Sequence, residues 1–235
     1  MQFTIREAAR LFRMPDRELQ QLVDDGEVPA QRILGRYRLN RSDLLEWATR
    51  TQRPVPPELL GPADADDPPP PSLGEALQTG GIHHGIAGAD QQAVFRELVA
   101  RLPLPAEVDR AAVCDILLAR EALGTTAVGN GVAIPHVRNA MILRVPRAIV
   151  MLGFLATPLD FGALDGRPVH ALFTLACPTI RSHLQLLARL GAALQDAAFA
   201  DAIARQAPAE AIHAGLVRLQ TAWAAAPAAG GGVRR

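Results

Sequence analysis

The chain has 235 residues, and its 24 Lys and Arg side chains are balanced by 24 Asp and Glu side chains, so the formal net charge is zero. No run reaches the roughly 18 apolar residues of a membrane span, and the first residues carry charges where a signal peptide needs its apolar segment. We therefore expect a cytoplasmic protein with no membrane span. Two cysteines, Cys114 and Cys177, stand in no ligand-type spacing. They predict buried free thiols and favour neither a disulfide framework nor a zinc site.

A proline-rich segment divides the chain. Residues 51–71, TQRPVPPELLGPADADDPPPP, show almost no apolar periodicity and predict an extended, semi-rigid linker. The sequence therefore predicts a small N-terminal module over residues 1–50 and a larger module over residues 72–225. Residues 226–235 are rich in glycine and alanine, and we expect a frayed tail there.

The N-terminal module has the pattern of helix, turn, helix, hairpin and helix. Thr4 and Glu7 predict a capping box at the start of the first helix, and Pro15 suits the first position of the second. VPAQRI and RYRL alternate as the strands of a small hairpin, and Asn40 begins a third helix. This order of elements describes a winged helix-turn-helix.

The segment TIREAARLFRMPDRELQQLVDDGEVPAQRILGRYRLNRSDLLEW resembles the excisionase-like and MerR-like DNA-binding domains. In such domains the second helix enters the major groove and the wing meets the DNA backbone. The resemblance implies base contacts from Arg17, Gln20 and Gln21, and phosphate contacts from Arg36, Arg38 and Arg41. Nearby acids almost cancel these arginines, so docking on a protein remains the alternative use of the fold. On DNA, one short module binds weakly, and we expect a homo-oligomer or several copies at a real site.

The larger module alternates helical and strand-like segments. Asp90 predicts the cap of one helix, and a second helical pattern runs from Glu107 to Leu123. Three nearly continuous apolar runs predict buried strands, at residues 132–134, 148–155 and 169–176. SHLQLLARLGAALQD returns to helical spacing, and two further helices follow. The fold class is α/β, with helices packed on a mixed sheet.

Three segments in consistent order, LLAREALGTTAVGNGVAIPH, ATPLDFGALDGRPVHALFTLACP and SHLQLLARL, resemble the type-2 enzyme IIA domain of the bacterial phosphoenolpyruvate-dependent phosphotransferase system (PTS). The resemblance extends from about Ser72 to Leu219 and is greatest to the nitrogen-regulatory branch. It implies that His136 accepts a phosphoryl group from the phosphohistidine of HPr or its nitrogen-branch counterpart. It further implies that His183 is the second histidine of the site and that Arg120 stabilises the transferred group.

The chemistry of these residue types agrees with the resemblance. A neutral imidazole has a nucleophilic ring nitrogen near pH 7, and phosphoryl transfer depends mainly on alignment and charge stabilisation. Arg120 and a second imidazole supply donors, while the turn Gly129, Asn130 and Gly131 predicts a phosphate loop of backbone N–H groups. Nothing in the pattern requires a metal or another cofactor. The other four histidines, at positions 83, 84, 170 and 213, are expected to be structural or exposed.

Three functions follow from this combination. The first is a regulator in which phosphorylation of His136 changes what the N-terminal module does on DNA. The second is a phosphocarrier for a sugar permease, with the N-terminal module as an adaptor. The third is a binding or sensor protein with the IIA fold in which His136 is never phosphorylated.

Overall fold

The N-terminal module is a winged helix-turn-helix, as predicted. The computed structural model describes residues 2–33, 35–51, 53–60, 71–137, 143 and 145–225. The elements of this module are β1 (Gln2–Phe3), α1 (Ile5–Leu11), α2 (Asp16–Asp24), β2 (Gln31–Ile33), β3 (Arg36–Asn40) and α3 (Arg41–Arg50). The capping box between Thr4 and Glu7 is formed, whereas Pro15 is the residue before α2 rather than its first residue. The three strands form a sheet in the order β1-β3-β2.

The first part of the predicted linker is packed against both modules. A short 3-10 helix covers Pro57–Leu60, and Leu59 is fully buried. The guanidinium of Arg53 lies 5.0 Å from the ring centroid of Trp47, at cation–π distance. The prediction of an extended linker is therefore wrong for residues 53–60, because apolar burial of Leu59 holds this segment on the body. Residues 61–70 and the predicted tail 226–235 lie outside the described residues.

The larger module is built on a five-stranded mixed sheet in the order β4-β7-β8-β6-β5. Its elements are α4 (Leu73–Gly80), β4 (Ile82–Ile86), α5 (Gln91–Arg101), α6 (Arg110–Ala122), β5 (Ala127–Gly129), β6 (Val132–Ala133), β7 (Ile149–Leu159), β8 (Val169–Ala176), α7 (Ile180–Leu194), α8 (Ala197–Ala204) and α9 (Ala209–Ala225). β4 runs parallel to β7 and β6 runs parallel to β8, while β7 and β8 are antiparallel. The predicted α/β class with a mixed sheet flanked by helices is confirmed.

The sheet separates two apolar cores. Along β7, Ile149 and Met151 face the side of α5 and α6, whereas Val150 and Leu152 face the side of α4 and α7–α9. This alternation follows from the two-residue period of a strand. The core on the α7 side continues without a break into the core of the helix-turn-helix, through α3 residues such as Leu45. The two modules therefore share one apolar core.

Candidate functional site

His136 lies just beyond β6, where the chain leaves the sheet. Its backbone forms a parallel bridge with Leu175 of β8. Its Nδ1 lies 2.7 Å from the carbonyl oxygen of Ile134. Because a carbonyl oxygen can only accept, Nδ1 carries a proton and Nε2 is the nitrogen that faces the neighbouring pocket. The fold therefore fixes both the position and the orientation of this ring.

Arg120 supplies a buried cation next to His136. It lies in the last turn of α6, and its Nη1 donates to the carbonyl oxygen of Gly124 at 2.8 Å. Its Nη2 donates to a carboxylate oxygen of Glu46. The guanidinium is thus held by the end of its own helix and keeps donors directed into the pocket.

His183 provides the second imidazole. It lies in the first turns of α7, which begins with a capping box between Thr179 and Ser182. The ring centroids of His183 and His136 are 5.0 Å apart, with 42° between the planes. Burial, with a smaller effect from His136, lowers the pKa of His183 to about 3, so the ring is neutral near pH 7. Its Nδ1 is buried and has no hydrogen-bond partner among the described residues.

A carboxylate from the N-terminal module enters this pocket. Glu46 of α3 places Oε1 2.8 Å from His136 Nε2, and its Oε2 accepts from Arg120. Burial alone would raise the pKa of Glu46, but the charges and hydrogen bonds of His136 and Arg120 outweigh burial and lower it to about 2. Glu46 is therefore an anion that only accepts. His136 must donate from both ring nitrogens in this arrangement.

The rim of the pocket is also shared between the modules. It is lined by Arg50 of α3 and by Gly124, Thr125 and Thr126 from the loop after α6. Burial lowers the pKa of Arg50, and the nearby charge of Arg120 lowers it further. The loop itself is held by Glu121, whose carboxylate accepts from the backbone N–H of Thr126 at 2.9 Å and from its hydroxyl at 2.6 Å. The result is a pocket that contains two arginines and the Glu46 carboxylate, with Nε2 of His136 at its base.

The predicted phosphate loop is not at this pocket. Gly129 and Asn130 line a different cavity, and the backbone N–H of Asn130 donates to Asp165 at 2.7 Å. Gly131 has a φ of 72° and packs so closely on the ring of His170 that a Cβ would overlap it. These glycines therefore serve a tight turn between β5 and β6 and its packing. The placement corrects the prediction that their N–H groups approach the transferred group.

The predicted DNA contacts lie on the module's outer surface. Arg17 and Gln21 of α2 and Arg36 of the wing are exposed, while Gln20, Arg38 and Arg41 are partly buried. The amides of Gln20 and Gln21 donate to Asp24 and Asp25, respectively, at 3.1 to 3.2 Å. The arrangement leaves the second helix and the wing accessible, and their role on DNA stays a prediction.

Sequence reasoning missed Glu46 and Arg50. Both lie in α3 beside the inward-facing residues that predicted this helix, and neither carries a local signal for a distant site. The described residues include no cluster of three or more His, Cys, Asp or Glu side chains placed to hold a metal ion. Cys114 and Cys177 are buried free thiols, as predicted.

Within the described part of the chain, no helix is long and apolar enough to cross a membrane.

Two family models match this chain. Residues 75–218 match the family described as "Phosphoenolpyruvate-dependent sugar phosphotransferase system, EIIA 2". Residues 3–52 match the model described as "Helix-turn-helix domain". The first match covers more than half of the chain, so the chain belongs to the type-2 EIIA family of phosphotransfer components and carries an N-terminal helix-turn-helix domain.

Within that family, the chain is similar to proteins named nitrogen regulatory protein. The one from Pseudomonas aeruginosa is 37% identical over 153 residues, which are 63% of this chain and 96% of the relative. The one from Bradyrhizobium diazoefficiens is 36% identical over 121 residues, 51% of this chain and 77% of the relative. The crystal structure of nitrogen regulatory protein IIA-Ntr from Neisseria meningitidis aligns with a TM-score of 0.54 and 31% identity, over 61% of this chain and 98% of that one. Each match leaves more than a third of this chain uncovered.

Proposed function

We propose that this protein accepts a phosphoryl group on His136 from the phosphohistidine of an HPr-like carrier, and that its phosphorylation state controls DNA binding by the helix-turn-helix module. The observation that carries the first half is the orientation of His136. Its Nδ1 is tied to Ile134, Nε2 faces a pocket that contains Arg120, and the neutral ring of His183 lies beside the ring of His136. A nucleophilic nitrogen beside buried donors suits transfer of an anionic group.

The transfer needs no further reactant. Nε2 first releases to solvent the proton that it donates to Glu46. Its lone pair then attacks the phosphorus of the carrier's phosphohistidine, and the phosphorus–nitrogen bond of the carrier breaks. The electron pair of that bond returns to the carrier's ring nitrogen, while the proton on Nδ1 of His136 stays in its hydrogen bond with Ile134. Arg120 and His183 lie where they can donate to the phosphoryl oxygens, whose charge is spread in the transition state.

We infer that phosphorylation of His136 serves regulation rather than sugar transport. The similar proteins from Pseudomonas aeruginosa and Bradyrhizobium diazoefficiens are named nitrogen regulatory proteins. The second helix and the wing of the helix-turn-helix are accessible, and Arg17 and Arg36 are exposed there. A DNA-binding module joined to a phosphoryl acceptor forms a one-chain switch.

A labelling experiment tests the acceptor. Phosphoenolpyruvate carrying radioactive phosphorus, enzyme I and an HPr-type carrier are mixed with the full chain, and acid-labile label on the protein is measured. We expect label on the wild type and on the control His84→Ala, whose ring is exposed and outside the pocket. His136→Ala should take up none. Label on His136→Ala equal to that on the wild type would contradict the assignment.

A further inference from the structure

The carboxylate of Glu46 occupies the position that a transferred phosphoryl group needs. Its Oε1 lies 2.8 Å from His136 Nε2, and its Oε2 accepts from Arg120. An attacking nitrogen and a phosphorus must approach to roughly 3–3.5 Å before a bond forms. A phosphorus bonded to Nε2 would fill the space that Oε1 now holds. Glu46 thus presents the pocket with an anion whose two oxygens engage the donors expected for phosphoryl oxygens.

The same contact removes the nucleophile. His136 donates from Nε2 to Glu46 and from Nδ1 to Ile134, so neither nitrogen offers a lone pair. The side chain of His136 is only 3% exposed. A phosphohistidine on a second protein cannot reach Nε2 while α3 lies in place.

The contact is part of a wider interface between the modules. The methyl group of Thr49 in α3 packs on Gly191 of α7, where an added Cβ would lie 3.1 Å from that methyl. Leu45 and Trp47 of α3 share an apolar core with Leu187 of α7. Buried apolar area therefore holds α3 on the acceptor surface, and the contacts of Glu46 with His136 and Arg120 fix the position of α3 over the pocket.

We propose that the α3 face of the helix-turn-helix and the incoming phosphocarrier compete for one surface of the IIA domain, with Glu46 as the internal occupant that phosphorylation of His136 expels. This inference rests on the proposed function. A phosphoryl group on Nε2 places as many as two negative charges beside the Glu46 carboxylate. It also competes with that carboxylate for the guanidinium of Arg120. Glu46 then loses both partners and faces a like charge in a buried pocket, so docking and phosphorylation exclude each other.

The DNA-contacting surface is not what docking covers. Arg17 and Arg36 are exposed in the docked arrangement. Phosphorylation therefore acts on the freedom and orientation of the module relative to the IIA body rather than by uncovering the second helix. By thermodynamic linkage, whatever weakens docking must favour phosphorylation to the same degree.

The rate of phosphoryl acceptance tests the competition. Wild type, Glu46→Gln and the control Glu58→Gln, whose side chain is exposed, are mixed with radiolabelled, phosphorylated HPr-type carrier. We expect Glu46→Gln to accept label at least about tenfold faster, since the open fraction is larger, and Glu58→Gln to match the wild type. The glutamine of Glu46→Gln could still form a hydrogen bond with His136, so Glu46→Ala is measured as well. We expect Glu46→Ala to accept label at least as fast as Glu46→Gln.

The outcomes separate the two proposals. If the wild type is labelled on His136 and both Glu46 variants are no faster, the competition is wrong and the acceptor function stands. If no variant is labelled by a fully phosphorylated carrier, the acceptor function fails, and the competition fails with it. A second experiment needs no phosphoryl transfer: it measures the efficiency of energy transfer between dyes attached at Gln31→Cys and Gln78→Cys, both of which are exposed positions. Glu46→Ala should lower its efficiency, and an unchanged efficiency overturns docking through Glu46.

Discussion

The rings of His136 and His183 are adjacent at the acceptor site, with centroids 5.0 Å apart and 42° between their planes. One ring is held by Ile134 and the other is buried at the start of α7. Because burial lowers the pKa of His183 to about 3, it remains a neutral donor or acceptor when the phosphoryl group arrives. We expect His183 to donate to the phosphoryl oxygens while His136 is the acceptor.

Replacement of His183 tests that role. We expect His183→Ala to slow phosphoryl acceptance by roughly a hundredfold, the usual effect of removing one donor to a developing charge. The initial rate of labelling measures it, with far-UV circular dichroism as a check of folding. His84→Ala, at an exposed position, serves as the control and should keep the wild-type rate. A folded His183→Ala that accepts label at the wild-type rate would exclude a part for this ring in transfer.

The contact between Gly191 and Thr49 allows docking to be weakened at a distance from the acceptor. A valine at Gly191 adds bulk where even a Cβ would lie 3.1 Å from the Thr49 methyl, so α3 must move away. We expect Gly191→Val to accept label faster than the wild type, as Glu46→Gln does. Ala192→Val places a similar side chain at an exposed position of the same helix and should not change the rate. A rate for Gly191→Val equal to that of Ala192→Val would argue against control by docking.

Low pH should weaken the docking of α3 on the IIA domain through two titrating side chains, Glu46 and His183. The pKa of Glu46 is lowered to about 2, so its stabilising contribution is complete above a pH of about 4.5 and is lost as the pH falls toward 2. The pKa of His183 is lowered to about 3, so its contribution is complete above about 6.5 and is lost as the pH falls toward 3.

We therefore expect the melting temperature Tm to fall as the pH is lowered from about 6.5 toward 3. Glu46→Gln should be less stable than the wild type near pH 7 by about 1–3 kcal/mol, and this difference should shrink below pH 4.5. Thermal unfolding of both proteins, followed by circular dichroism from pH 7 to 3, measures it. A difference that grows as the pH falls would have the wrong sign.

The wing arginines make a prediction for DNA. Genomic fragments that bind the protein are first selected, and affinity is then measured by gel shift over a range of salt concentrations. Arg36→Ala combined with Arg38→Ala should weaken binding and reduce the slope of log affinity against log salt by about 2, one phosphate for each arginine. Arg205→Ala, at an exposed position of the IIA domain, should leave both unchanged. An unaltered slope in the double variant would show that the wing does not bind phosphates.

Much of the fold could be predicted because its signals are local. Helix starts at Thr4 and Asp90 were marked by their own caps, and both caps are formed. The apolar run of residues 169–176 coincides with β8, since a strand buried on both faces has no polar alternation. By contrast, β4 was missed because its sequence IHHGI is polar in the middle, and only at the edge of the sheet are such side chains tolerated.

The acceptor pocket was only half predictable. His136, Arg120 and His183 were found through the resemblance of their segments to type-2 IIA domains, and the structure brings these three together. Glu46 was not found, because its contact with His136 joins residues 90 positions apart in separate modules. Composition also misled the interpretation of residues 53–60, since prolines indicated an extended spacer while Leu59 is buried in the common core.

The separation of the two modules on phosphorylation tests the competition between Glu46 and the phosphoryl group most directly. Dyes at Gln31→Cys and Gln78→Cys report the distance between the wing and α4, since the native thiols of Cys114 and Cys177 are buried. Energy transfer should fall when phosphorylated carrier is added to the wild type and should stay unchanged in His136→Ala. Undiminished transfer in a wild-type sample whose His136 is fully phosphorylated would contradict the proposed release of the helix-turn-helix.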